Sequence, residues 1–259
     1  MTKVVCIGAG KLAHQLMPVL EEAGCEVIQV FNRSESAGES LSAKLKSATF
    51  TSSLQEIIPD ADMYFLAVSD DAVQIVADHL VTTVNASAIV IHCSGVLGID
   101  VLPFTKRAAF YPLQSFSEDH EVSWRWIPLI ITTSDQDTWE ILESIATSIS
   151  TSVYRMDDDQ KSVLHVAAVF TNNFSNHMLT IAEQICLGHN LPFEMLKPLI
   201  LETFSKAILN GPKENQTGPA VRGDQKTIEK HLNLIRNHPE MVDIYKSVTA
   251  SIMGMYKKS

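Results

Sequence analysis

The feature that most constrains the fold stands at the start of the chain, where the β-branched apolar run Val4-Val5-Cys6-Ile7 passes directly into Gly8-Ala9-Gly10-Lys11-Leu12-Ala13. A short apolar run of this kind reads as a buried strand, and paired glycines opening a helical pattern read as a tight strand-to-helix turn. Gly8 permits the turn, Gly10 has no Cβ to hold a ligand away from the backbone, and Ala13 lets the helix pack closely on the strand. The helix start at Lys11 and Leu12 offers unpaired N–H groups and a partial positive charge to phosphate. In this strand-turn-helix context the spacing is the GxGxxA form of the dinucleotide fingerprint, so Gly8, Ala9, Gly10, Lys11 and Leu12 are candidate cofactor contacts.

Two further segments refine the nucleotide. An NAD site places Asp or Glu about 20 residues beyond the glycines to bind the ribose 2′-OH. Here the second strand ends Val30-Phe31-Asn32-Arg33-Ser34, with no carboxylate at that place. Arg33 can stack on adenine and pair with a 2′-phosphate, while Asn32 and Ser34 supply neutral donors, so the expected cofactor is NADP(H). The buried run ending at Val68-Ser69-Asp70 should lie beside the ribose and nicotinamide, since ligands of open α/β sheets bind at the carboxyl ends of strands. Asp70 or Asp71 could instead serve only as a helix N-cap.

From residue 4 to about 155 the chain alternates strand-like runs with helical stretches, which predicts an α/β, Rossmann-like, doubly wound and mainly parallel sheet. The expected strands are Val4 to Ile7, Glu26 to Phe31, Ala48 to Phe50, Met63 to Val68, Ala88 to His92, Ala108 to Tyr111, Leu129 to Thr132 and Ser152 to Arg155. Helices are expected over Lys11 to Glu22, Asp71 to Val81 and Gln136 to Ser148. After Arg155 the pattern is all-helical, placing a nucleotide-binding domain at 1–155 and a helical substrate and dimerisation domain at 156–259. Its first helix should run from about Asp158 to Leu187, with Asp157, Asp158 and Asp159 at the positive end of the helix dipole and Gly188 as C-terminal cap. Further helices are expected over Phe193 to Leu209, Lys226 to Asn237 and Pro239 to Tyr256, with Thr217 to Asp224 as a Gly- and Pro-bounded loop.

Composition bounds the remaining classes. Hydrophobic residues at 46% and charged residues at 19% describe a folded protein. The formal net charge of -10 argues against nucleic-acid partners, whose phosphates call for concentrated Lys and Arg. No apolar run approaches the roughly 20 residues that span a bilayer, and the N-terminus lacks a secretory pattern, so neither membrane nor export is expected and the cytoplasm is the expected location. Cys6, Cys25, Cys93 and Cys186 show no metal or disulfide spacing, and no metal is expected. Cys93 stands in a loop placed near the active site.

These elements, with His92-Cys93-Ser94-Gly95 after the fifth strand, Phe110-Tyr111-Pro112-Leu113-Gln114-Ser115-Phe116 after the sixth, and the helical second half, resemble the Rossmann-like NADP oxidoreductases. That family is related to pyrroline-5-carboxylate reductase, coenzyme F420-dependent NADP reductase and the 6-phosphogluconate dehydrogenase superfamily. The resemblance implies a homodimer formed through the helical domain and an active site in the inter-domain cleft. It also implies a Ser-Gly loop, matched by Ser94 and Gly95, against an anionic substrate group. Hydroxyacid dehydrogenases of the superfamily follow a helix Lys closely with Asn; here Lys161 is far ahead of Asn172 and Asn173, which departs from that mechanism.

On an ideal helix Lys161, His165, Asn172 and Asn176 fall within a stripe of roughly 60°, opposite Val163, Val166, Phe170, Phe174 and Leu179. His165 could donate the proton a carbonyl or imine needs, and Asn172 or Asn173 could orient the substrate; a core role for His165 is the competing reading. His92 is expected to hold the Ser-Gly loop. Gln114 could contact substrate or tie loops together. Arg222 could bind a substrate carboxylate or phosphate, or pair with Asp224 in a helix connector. The sequence thus points to NADP-dependent hydride transfer to a small, anionic keto or imino substrate. A non-catalytic NADP-binding regulator or sensor is the alternative, and a flavin or deazaflavin enzyme a third reading.

Overall fold

The computed structural model describes residues 1–117 and 122–256. Its compact units divide between Asn172 and Asn173. The first unit carries one sheet of β1 (Thr2–Ile7), β2 (Cys25–Phe31), β3 (Thr49–Thr51), β4 (Met63–Leu66), β5 (Ile89–His92), β6 (Arg107–Pro112), β7 (Leu129–Thr133) and β8 (Val153–Arg155). The spatial order is β3-β2-β1-β4-β5-β6-β7-β8. Neighbours are parallel except β6 and β7. Each strand expected from the sequence is present, its ends shifted by at most two residues.

Strand alternation sends successive side chains to opposite faces of the sheet, and both faces are covered. Val4 and Cys6 pack with Leu16, Met17 and Leu20 of α1 (Lys11–Glu22) and with Leu142 and Ala146 of α4 (Gln136–Ile149). Val5 and Ile7 pack with Val73, Val76 and Leu80 of α3 (Asp70–Leu80). Between α1 and α3 lies α2 (Glu35–Ser42), whose Leu41 joins the first cluster. After β3 the chain crosses back to lay β4 beside β1. The winding direction therefore reverses between β1 and β4, which is where an open α/β sheet leaves a crevice for ligand.

The helical stretch after β8 differs from the single regular helix expected. It consists of α5 (Asp158–Ala168), a π-helical segment over Val169–Phe174, and α6 (Ser175–Gly188). The start is sharply defined: the Asp157 side chain accepts from Gln160 N, and the Gln160 side chain accepts from Asp157 N. The π segment inserts residues into the turn, so the regular 100° spacing of the polar stripe does not continue past Ala168. Asn172, Asn173 and Asn176 are exposed. Gly188 is still helical, and the left-handed position beyond the helix is taken by Asn190 at φ 55°. Asparagine tolerates that conformation better than other side-chain-bearing residues. The strand-bearing region ends at Arg155, yet α5 clusters with the first unit because its side chains are bonded to the loop after β5.

The second unit contains α7 (Lys197–Asn210), α8 (Pro219–Arg222), α9 (Gln225–Leu234) and α10 (Pro239–Met255). A 3-10 turn over Phe193–Leu196 precedes α7, where an α-helix was expected to begin. The segment read as a loop holds the single turn of α8, bracketed by Gly218 at φ +110° and Gly223 at φ +68°. Among its described residues the buried hydrophobics are Cys186, Ala220, Ile228, Ile235 and Met241, while Leu201, Ile208 and Leu209 are exposed.

Leu16 is fully buried between α1 and the sheet. Leu16→Ala is expected to destabilise the protein by about 2–5 kcal/mol, read from chemical denaturation.

Candidate functional site

Two constructions meet the carboxyl edge of the sheet. In the first, β1 is locked between its neighbours: Gly8 N donates to Phe31 O at 2.8 Å and Ala67 N donates to Ile7 O at 2.8 Å. Gly8 has φ +106°, and a Cβ there would stand 2.3 Å from the Ala67 carbonyl oxygen, so no other residue fits this turn. Gly10 presents the opposite situation. It is exposed at the start of α1, no side chain caps that helix end, and a Cβ on it would meet nothing within 4 Å. The result is an open approach to the N–H groups of a helix start, which is the setting a diphosphate requires.

Asn32 ties this turn to the end of β2. Its Oδ1 accepts from Ala9 N at 3.1 Å and its Nδ2 donates to Ser34 O at 2.9 Å. The amide read from sequence as a nucleotide donor is therefore engaged at both ends within the protein, leaving Arg33 and Ser34 exposed beside it. Val68 lies against Gly8, Ser69 is the N-cap residue of α3, and Asp70 opens that helix. A groove of about 1320 Å³ runs from Ala9, Gly10 and Lys11 along the flank of α1. None of Ser94, Gly95, Tyr111 and His165 lines it.

The second construction joins the ends of β5 and β6 to α5. Three side chains of α5 fasten it to the loop after β5, and a fourth reaches β6. Lys161 Nζ donates to Leu97 O at 2.5 Å and pairs with Asp158 Oδ1 at 3.0 Å. Asp158 Oδ2 accepts from Ile99 N at 2.9 Å, and Ser162 Oγ donates to Val96 O at 3.3 Å. His165 Nδ1 lies 3.0 Å from the Tyr111 hydroxyl. Gly95 makes this meeting possible, because a Cβ there would fall 2.5 Å from His165 Nδ1 and 2.8 Å from Tyr111 Cζ.

Burial governs the electrostatics of this cluster. Lys161 is 0% exposed, and burial lowers its pKa while Asp158, and more distantly Asp70, oppose the shift. His92 is equally buried; burial first and the Lys161 cation second push its pKa down to about 4. His92 is thus a neutral ring whose Nδ1 accepts from Ser94 N at 3.2 Å, shaping the loop. Burial pushes the Tyr111 phenol above its ordinary value, which keeps it protonated as a donor.

The remaining candidates take different places. Ser94 is buried, and its Oγ accepts from Val96 N and Leu97 N, so this hydroxyl builds the turn. Gln114 is exposed and folds back on its own loop, its Oε1 accepting from Ser115 N. Arg222 is exposed on α8, and Asp224 caps α9 by accepting from Thr227 N and Thr227 Oγ1. Tyr111 and Asp158 were not singled out from the sequence as site residues. The available signal was that Tyr111 ends a strand at the ligand edge and that 158, 161, 162 and 165 share one helix face. The described residues contain no group of His, Cys, Asp and Glu able to hold a metal ion, and no helix long and apolar enough to cross a membrane.

Comparison with known proteins agrees with this geometry. Residues 1–94 match the family described as shikimate/quinate 5-dehydrogenase, and residues 127–252 match a family described as a domain of unknown function, DUF2520. A solved structure from Bacteroides fragilis, assigned as an NADP oxidoreductase, is 36% identical, with a TM-score of 0.91 over 98% of both chains. At 22% identity and TM-score 0.73 over 98% of both chains, a Thermotoga maritima protein shares the fold. So does an imine reductase of Myxococcus stipitatus in complex with NADP+, at 14% identity and TM-score 0.73 over 99% of this chain and 100% of that one. A comparison with curated protein sequences finds no match. The fold and its switch-point turn define a dinucleotide-dependent oxidoreductase architecture. The chain belongs to the Rossmann-like NADP oxidoreductases.

Because His92 is neutral in the folded protein and its unfolded value is near 6.5, the unfolded chain binds more protons between these values. Stability is then fully present above about pH 6.5 and declines as pH falls toward 4, by up to about 3 kcal/mol for this group. Denaturation midpoints at pH 7 and 4.5 should show this loss in the wild type and a smaller one in His92→Gln.

Proposed function

We propose that this protein is an NADP-dependent oxidoreductase that transfers hydride between NADP(H) and a small substrate bearing a C=O or C=N group. The observation that carries the reading is the Gly8–Gly10 turn at the sheet's switch point, with an obligatory glycine followed by an open one and an exposed arginine at the end of β2. Gly10, Lys11 and Leu12 would hold the diphosphate at the start of α1, and Arg33 with Ser34 the adenosine 2′-phosphate. When bound, the nicotinamide supplies or accepts the hydride; the protein supplies position and a proton.

The chain's own contribution is the Tyr111–His165 pair, half-buried against Gly95 and fixed by the anchoring of α5. His165 moves a proton to the reduced substrate, directly or through Tyr111.

The exposed apolar residues of the helical half support a homodimer. Leu199, Leu201, Phe204, Ile208 and Leu209 of α7 are all exposed in the single chain, beyond what isolated surface hydrophobics account for. Sedimentation velocity is expected to give a dimer for the wild type and a monomer or unstable protein for Leu201→Asp; a wild-type monomer removes this assembly.

The cofactor assignment is tested by thermal shift with NADPH and NADH. Free NADPH at 100 times its Kd should stabilise the wild type by about 2.7 kcal/mol. Arg33→Ala should weaken NADPH by about ten- to a hundredfold and leave NADH little changed, as expected for lost charge-assisted hydrogen bonds. Equal response to both nucleotides in the wild type overturns the Arg33 assignment.

A further inference from the structure

Resting on the NADP(H) reading, we infer that the substrate is a carbonyl compound rather than a preformed iminium, and that Tyr111 is the immediate proton donor, recharged by the Nδ1–H tautomer of His165. The argument begins with geometry. The 3.0 Å contact between the Tyr111 hydroxyl and His165 Nδ1 admits two arrangements, differing in which partner donates. If the tyrosine donated to His165, its one proton would be committed to the ring. If Nδ1–H donates to the tyrosine oxygen, the phenol proton is free for a substrate.

The charge of the surroundings then selects the substrate. A preformed iminium already carries its proton and a positive charge that hydride removes, so its site calls for a nearby carboxylate. A carbonyl develops negative charge on oxygen as hydride arrives and calls for a neutral acid. Among the described residues neither Tyr111 nor His165 hydrogen-bonds or ion-pairs with a carboxylate: each ring's hydrogen bond is to the other. Asp158, on the same helix as His165, is occupied by Lys161 and Ile99 N. One helical turn before His165 the buried ammonium of Lys161 is met by the Asp158 carboxylate, so this ion pair brings no net charge to the neighbourhood of the phenol, as a neutral acid requires. Burial keeps the phenol in its protonated form.

The step balances as follows. The carbonyl carbon gains a C–H bond by accepting the hydride of the reduced nicotinamide, which is thereby oxidised. The C=O π pair moves to oxygen, and oxygen takes the Tyr111 proton to give the alcohol. The tyrosine oxygen takes the Nδ1 proton of His165, and the imidazole recovers one from water.

Nitrogen NMR of ring-labelled histidine, with His165 assigned by its disappearance in His165→Asn, reads the tautomer without any turnover. The expected state in the cofactor-free protein at neutral pH is Nδ1–H; an Nε2–H ring overturns the relay. Rates are then measured with NADPH on a panel of 2-oxo acids, aldehydes and ketones, and on five- and six-membered cyclic imines. Turnover of a carbonyl probe that falls about 10²- to 10⁴-fold in Tyr111→Phe supports the inference. Imine turnover unchanged in Tyr111→Phe overturns it. Where neither probe class turns over, the tautomer decides. NADPH binding, followed by cofactor fluorescence on the same samples, separates the two levels: binding with the wrong tautomer sinks only this inference, whereas absence of binding sinks the function on which it rests.

Discussion

A buried ammonium is costly unless its charge is met, and the arrangement of the second half of the site follows from how Lys161 is met. Its partners are the Asp158 carboxylate one turn earlier on α5 and the Leu97 carbonyl in the loop after β5. Satisfying both fixes the first turns of α5 against residues 94–99. That docking carries His165 to Gly95 and Tyr111, and it surrounds His92 with an environment in which the ring stays neutral. Removing Asp158 alone would leave the ammonium in the interior with the Leu97 carbonyl as its hydrogen-bond partner among the described residues and Asp70 as a more distant charge.

The nucleotide turn depends on a different constraint, one of space. The turn after β1 runs so close to the Ala67 carbonyl that Gly8 cannot carry a side chain, while Gly10 two residues later faces open space. One glycine is thus required by the protein's own packing, while at the other the packing leaves room for a side chain. Asn32 belongs with the first kind: by bridging Ala9 and Ser34 it sets the spacing between the turn and the end of β2, and so sets where Arg33 is presented.

Agreement between sequence and structure is close for the sheet because each strand signal is local. A β-branched run bounded by turn residues needs no distant contact to be recognised, so the strand positions and the glycine turn could be read directly. The polar stripe fared differently. Lys161 and His165 share the regular part of α5, and the structure puts them on one face as the four-residue spacing requires. Asn172 and Asn173 lie in the π-helical segment, where the periodicity that placed them no longer holds. The resemblance implied a substrate contact at Ser94, and Gln114 was open between a substrate contact and a tie within its loop; in the structure both side chains close hydrogen bonds within their loops.

The sequence by itself determined the order of elements, the switch-point turn and the absence of a carboxylate at the end of β2, because these rest on hydrophobic periodicity and on the shapes of glycine and arginine. Tertiary structure alone decided that Lys161 is buried, that His92 is neutral, and that Tyr111 meets His165 across 54 positions of chain. Those facts depend on desolvation and on contacts between distant segments. No local pattern records them, since the same residues on a solvated helix and loop would be hydrated and separate.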